Sequence, residues 1–107
     1  MARYTLVVYT NPVEGREEEF NTWYDGRHLG DVLKVPGAVA ARRLEQSPQQ
    51  LAAVPQTHRY LALYELDTDN IKLFLDEFAR RANTELMPIS SALAPGTAAV
   101  LWKTLGD

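Results

Sequence analysis

Cysteine is missing from this 107-residue chain. That removes disulfides, zinc thiolate sites, iron–sulfur clusters and thiol nucleophiles together. Histidine is almost as scarce: His28 and His58 are the only two, too far apart and without the carboxylate–histidine spacing of a metal site. Either could in principle ligate haem, but nothing else recommends it, so no metal and no cofactor is expected. There is no glycine-rich phosphate loop and no G-x-S-x-G elbow, and a flavin or nicotinamide fold is absent. A dense basic stripe is lacking too, because 11 Lys and Arg face 14 Asp and Glu for a net charge of −3. Nucleic acid is therefore not an expected partner. The adjacent pairs Arg42-Arg43 and Arg80-Arg81 fall in a strand and late in a helix, where the second pair suits the helix dipole. No run is long and apolar enough for a bilayer, and the Met1 to Leu6 segment has no signal-like core, so no membrane contact and a cytoplasmic location are expected.

What is present is ordinary for a globular chain: 46% hydrophobic, 23% charged and 9% aromatic residues, which argues against disorder. One domain spanning 1–107 is expected, small enough for pairing with another copy to help its stability.

Thr5 to Tyr9 is a β-branched and aromatic run stopped by Thr10-Asn11-Pro12, a strand and its turn. Glu14 to Tyr24 reads as a helix, with Glu17, Glu18 and Glu19 near the positive end of its dipole and Phe20, Trp23 and Tyr24 on one face. Gly26 is expected to interrupt it, and His28 to Lys34 reads as a shorter helix ended by Pro36-Gly37. Val39 to Glu45 is the second strand, Ser47 to Thr57 a polar connection too long for a tight hairpin, and Tyr60 to Leu66 the third strand. Asp67-Thr68-Asp69-Asn70 offers N-caps to a helix striped by Ile71, Phe74, Leu75, Phe78, Ala79, Ala82 and Leu86 and stopped by Pro88. Ala98 to Lys103 is the last strand.

The order β-α-β-β-α-β predicts a ferredoxin-like α+β fold: a four-stranded antiparallel sheet with two helices on one face. That leaves the other face open, yet Leu6-Val7-Val8, Leu61 to Leu66 and Val100-Leu101-Trp102 are apolar on both sides. Strands of this kind are buried on both faces. A second copy packed sheet against sheet would close a barrel, so a homodimer is expected. An apolar patch for another protein is the rival explanation.

The segment Trp23 to Gly37 concentrates the unusual residues. Asp25 and Asp31 bracket His28, an arrangement that can fix the imidazole tautomer and raise its pKa. Such a group could move a proton to or from a bound small molecule. It could equally be structural, bonding to backbone or to Asp31 and locking the bend between two helices. Tyr9, Tyr60 and Tyr64 can present hydroxyls from strands to a pocket, or serve as core-edge and interface residues. Arg43 and Glu65 are charges within apolar strands, read as an ion pair that sets dimer register. The alternative gives Arg43 a ligand carboxylate or enolate to hold. Trp102 caps a barrel end or the interface.

The run Trp-Tyr-Asp-x-x-His-Leu-x-Asp-x-Leu (Trp23, Tyr24, Asp25, His28, Leu29, Asp31, Leu33), then Val35-Pro36-Gly37 and a strand carrying Arg43, resembles EthD-like proteins of the dimeric α+β barrel superfamily. Chain length and element order extend that resemblance over nearly the whole chain. It departs at Gly30, where the pattern leads one to expect proline, and Gly30 should loosen the start of the second helix. The resemblance implies a homodimer whose two sheets form a barrel, with one pocket per subunit between sheet and helices. Relatives include cofactor-free monooxygenases, polyketide cyclases, lactone isomerases and haem-binding members, so the fold does not select a chemistry.

Two functions follow as expectations. One is a metal-free enzyme acting on a small apolar or aromatic compound, with His28 as acid or base, Asp25 or Asp31 orienting it, and Tyr24, another tyrosine or Arg43 as oxyanion partner. Tyr9, Trp23, Tyr64 and Trp102 are the expected lining. The other is a non-catalytic protein that binds or delivers such a metabolite. A closed structural dimer with no pocket is a third possibility.

Overall fold

A computed structural model describes residues 2–106. Strands β1 (Ala2–Thr10), β2 (Ala38–Glu45), β3 (Tyr60–Thr68) and β4 (Ala98–Lys103) form one antiparallel sheet in the order β2-β3-β1-β4. Each strand appears where its β-branched and aromatic run lies, although β1 is longer at both ends than the apolar run alone predicts.

Register assigns the faces. Leu6 stands between Tyr64 and Leu101, and Val8 between Ala62 and Ala99. Because side chains alternate along a strand, Leu6, Val8 and Thr10 of β1 point the same way as Tyr60, Ala62, Tyr64 and Leu66 of β3, and all of these are buried. Val7, between Leu63 and Val100, marks the opposite face. There, Val100 and Trp102 are exposed.

The buried face carries two helical elements. The first begins as α1 (Glu17–Trp23) and ends as α2 (Leu29–Leu33). Sequence reading expects a break at Gly26, and the structure corrects this. Tyr24–His28 is a single π-helical turn, with the Leu29 N–H reaching back five residues to the Tyr24 carbonyl. A π turn accommodates one extra residue without interrupting the helix, and such turns recur at functional sites. Here it is the segment that carries His28.

The second element is α3 (Ile71–Arg81). Asn70 caps it, its side chain accepting from the Leu73 N–H at 3.3 Å. The helix stops well before Pro88, contrary to expectation, because Ala82 is extended and Asn83 is left-handed at φ 63°. Asparagine tolerates that conformation at a helix end. The Thr84 hydroxyl then donates to the Arg81 carbonyl at 2.6 Å. Leu86 is left exposed while Met87 fills the core beside Phe20, Val32, Phe74 and Ala92. Gly37, at φ +106°, makes the turn into β2, and a Cβ there would lie 3.5 Å from the Thr68 side chain. Among the described residues no helix is long and apolar enough to cross a membrane.

Candidate functional site

Between the sheet and the helices lies a cavity of about 230 Å³. Its floor is Leu6, Val8, Thr10 and Ala99, and its walls include Trp23, Tyr24 and His28 from the end of α1 and the π turn. Leu75 and Phe78 of α3 close another side, and Ile89, Leu93 and Thr97 come from the irregular segment before β4. The lining is overwhelmingly apolar, with few polar atoms among it.

His28 is the most distinctive of these residues. Its ring lies 4.6 Å from that of Trp23 and meets Tyr24 edge-on at 4.9 Å. Trp23 is anchored by its indole N–H, which donates to the Pro88 carbonyl at 3.0 Å. His28 is buried, and its Nδ1 has no hydrogen-bond partner among the described residues. The two flanking carboxylates are engaged elsewhere. Asp31, itself buried, accepts from the Arg27 guanidinium at 2.7 Å, and Arg27 also donates to the Glu85 carbonyl. Asp25 accepts from Arg43 at 3.0 Å with its side chain largely in solvent.

The expected rise in the His28 pKa is therefore reversed. Burial dominates and pulls it down to about 4; Asp31 opposes this and the Arg43 cation adds to it. Nor does His28 bond to Asp31 to lock a bend.

Arg43 also departs from expectation. It faces Ala62 on the helix side of the sheet, whereas Glu65 sits at an alternate position of β3 and turns to the other face. The Arg43–Glu65 ion pair does not form, and Glu65 instead accepts from the Thr5 hydroxyl at 3.1 Å. The Arg43 guanidinium carbon lies 4.3, 5.1 and 5.3 Å from the ring centres of Tyr24, Tyr60 and Phe20, a cation–π enclosure. Its Nε and Nη2 are buried without partners among the described residues. Neither Arg43 nor Asp25 lines the cavity that holds His28.

Tyr64 is fully buried on the helix side, and among the described residues its hydroxyl has no partner in hydrogen-bond geometry. Burial and the neighbouring Tyr24 phenol raise its pKa, and burial likewise raises that of Tyr24. Tyr9 and Trp102 belong to the opposite sheet face, their parity being that of Val7 and Val100. Tyr9 packs instead near His58, whose ring bonds to the Gly96 carbonyl at 2.8 Å. Of the residues singled out in sequence, the structure brings Trp23, Tyr24 and His28 together at the cavity.

Thr10, Leu75, Phe78, Ile89 and Leu93 were missed. Thr10 shares the parity of Leu6 and Val8, a signal that a turn assignment hides. Its hydroxyl is buried and has no partner among the described residues. Among the described residues no group of three His, Cys, Asp or Glu could hold a metal ion.

Several solved structures share this architecture over nearly their whole length. A monooxygenase candidate from Shewanella loihica PV-4 aligns with a TM-score of 0.64 at 11% identity, covering 100% of this chain and 99% of its own. The chain has the ferredoxin-like fold. The heme-degrader MhuD from Mycobacterium tuberculosis, solved with two hemes in its active site, gives 0.62 at 14% identity, with 97% of each chain covered. An ethyl tert-butyl ether degradation (EthD) family protein from Bacillus halodurans C-125 gives 0.53 at 13% identity, covering 98% of this chain and 100% of that one. The resemblance to EthD-like proteins in sequence is thus matched in fold. No protein-family model and no curated protein matches the chain. At these identities the likeness speaks for the fold, and the chemistry has to come from the site.

Proposed function

We propose that this chain is a single EthD-like domain that binds a small apolar or aromatic metabolite in the His28 cavity and transforms it by proton transfer at His28. The observation that carries this reading is a histidine whose ring lines an apolar cavity and whose Nδ1 is buried with no partner among the described residues. A buried polar atom without a partner is costly unless a ligand or water satisfies it. With its pKa near 4, His28 is neutral at neutral pH and would act as a base toward the ligand. Trp23 and Tyr24 hold the ring by packing. The family types that fit are isomerases, cyclases and cofactor-free monooxygenases, and the step assigned to His28 needs no metal.

A second reading rests on the same pKa. A base far below the operating pH is a weak one, which favours a non-catalytic protein that binds or delivers the metabolite in a degradation pathway. Deuterium exchange from D₂O into small lactones and β-keto compounds, followed by NMR, separates the two. The enzyme reading expects faster exchange with wild type than in buffer, lost in His28→Gln while binding by thermal shift persists. Binding without any acceleration in wild type supports the second reading instead.

The quaternary state belongs to the same proposal. The uncovered sheet face, with Val7, Leu63 and Val100 at its centre, supports a homodimer packed sheet to sheet, which this reading places in the cytoplasm. Neither nucleic acid nor a membrane is a partner in this reading.

A further inference from the structure

We infer that the His28 cavity opens to solvent between α3 and β4 and takes a small single-headed amphiphile, its apolar chain or ring inside and its one polar group left at that mouth. The inference rests on the ligand-binding part of the proposed function and adds the direction of entry and the polarity of the ligand.

The helical cover stops short of β4. On the helix side of the sheet, Leu6, Val8 and Thr10 of β1 are buried. In the neighbouring row of β4, Ala99 beside Val8 is exposed, Leu101 beside Leu6 is half-buried, and Lys103 beside Tyr4 is exposed. Of the residues that line the cavity, Leu75, Thr97 and Ala99 alone are exposed. Leu75 belongs to α3 and Ala99 to β4, so the mouth lies between these two elements. The opposite wall is closed. Half-buried Trp23 and Ile89 separate the cavity from a surface groove that carries Glu18 and Glu19, and the indole bond to the Pro88 carbonyl fixes Trp23 there. Ala99 also points away from the sheet face assigned to a second copy, so the proposed dimer does not cover the mouth through it.

Inside, nothing replaces the hydration of a charge. Among the described residues no Lys or Arg lines the cavity, and His28, its pKa pulled down to about 4, is uncharged at neutral pH. An ionised group carried inward is therefore heavily penalised. Thr10 Oγ1 and His28 Nδ1 are sealed off from anything in the cavity, which leaves Nε2 as the ring nitrogen for the proposed proton transfer. The inner part of the ligand is accordingly hydrocarbon. An apolar cavity of about 150 Å³ accepts benzene, so 230 Å³ holds about six to nine carbons. A polar group at the mouth keeps its water and meets the part of the lining that Thr97 supplies.

Titration of wild type, Ala99→Lys, Ala99→Glu and Glu18→Lys with hexanoate, adipate and 1-hexanol tests this, followed at low salt by the NMR signal of the Trp23 indole N–H. Hexanoate and 1-hexanol should bind wild type within about fivefold of each other. Adipate has to bury one of its two carboxylates and should bind about tenfold more weakly than hexanoate, or worse. Ala99→Lys should tighten hexanoate about threefold and Ala99→Glu weaken it about as much, the range of an exposed ion pair, while 1-hexanol stays unmoved. Charged side chains are well tolerated on an exposed edge strand, so both variants are expected to fold. If either does not, the ratio of adipate to hexanoate affinity on wild type decides. Adipate binding as tightly as hexanoate overturns the inference, as does hexanoate affinity indifferent to both Ala99 charges. A hexanoate response to Glu18→Lys alone overturns it too, by placing the head in the outer groove. In each of these cases binding of 1-hexanol keeps the cavity as a ligand site. If none of the three probes binds, the ligand-binding reading falls as well.

Discussion

Arg43 stacks its guanidinium 4.3 Å from the ring centre of Tyr24, and the same ring meets His28 edge-on at 4.9 Å. A cation and an imidazole thus share one aromatic ring, and the cation helps to keep the imidazole unprotonated. Replacing Arg43 by Met removes the charge but retains much of the stem volume. The His28 pKa should rise toward its ordinary value, measurable by NMR titration of the ring protons. Stability should change by no more than about 1 kcal/mol, since an apolar isostere also removes two unpaired buried donors. Arg43→Ala should cost about 2–4 kcal/mol in urea denaturation by leaving a void among three rings. A His28 pKa that stays put or falls in Arg43→Met would remove the electrostatic link.

The depressed His28 pKa also sets a pH dependence of stability. Between about 4 and the ordinary 6.5, the unfolded chain protonates this histidine while the folded chain does not. The unfolded state binds more protons there, so stability rises with pH across that window and this contribution is complete above it. Acidification from pH 7 to 4 should cost about 3 kcal/mol from this group. Urea midpoints at pH 7, 5.5 and 4.5 measure it. In His28→Gln the slope over that window should flatten. An unchanged slope would mean that other groups carry the acid sensitivity.

Much of the fold was legible because period and parity are local. The strands at Thr5 to Tyr9 and Tyr60 to Leu66 declare themselves by β-branched and aromatic runs, and the stripe from Ile71 to Phe78 by helical spacing. The open sheet face was legible too, because Val7, Val100 and Trp102 are apolar where a solvated face would be polar. Features decided by a single backbone choice were not. Gly26 looks like a breaker, yet a π turn passes through it; Asn83 in a left-handed conformation ends α3 where apolar spacing continues. The site was half legible. Trp23, Tyr24 and His28 follow from one motif, but the sign of the His28 shift is set by its burial, which tertiary packing decides; the Arg27–Asp31 pair is local at i,i+4, whereas Arg43 reaches Asp25 from β2. Tyr9 and Trp102 were attractive for their chemistry, and strand parity places them on the other face.

Gly30 gives a test of local rigidity. It lies inside α2, exposed, and a Cβ built there meets nothing within 4 Å. Glycine in a helix costs about 0.5–1 kcal/mol relative to alanine. Gly30→Ala should therefore raise the melting temperature by about 3–5 °C at this chain length. Binding at the cavity should not weaken, because position 30 does not line it. A lower melting temperature would show that the glycine is needed for a conformation other than the helix seen here.

Val100 gives the test of quaternary state. It lies on the edge strand β4, opposite Val7 and on the sheet face away from the helices, and it is 40% exposed. With Trp102 on the same strand, it belongs to an apolar surface that a single chain leaves in water. If two copies cover it, Val100→Lys places a charge in the interface without a partner, and such a group costs several kcal/mol when buried. In a monomer the same lysine sits on an edge strand in solvent, where lysine is well tolerated. Sedimentation equilibrium at micromolar concentration should therefore give a dimer for wild type and a monomer for Val100→Lys, with the far-ultraviolet circular dichroism of the two unchanged. A wild type that stays monomeric at high concentration leaves the apolar face to another protein. A Val100→Lys variant that remains dimeric would place the interface elsewhere on the molecule.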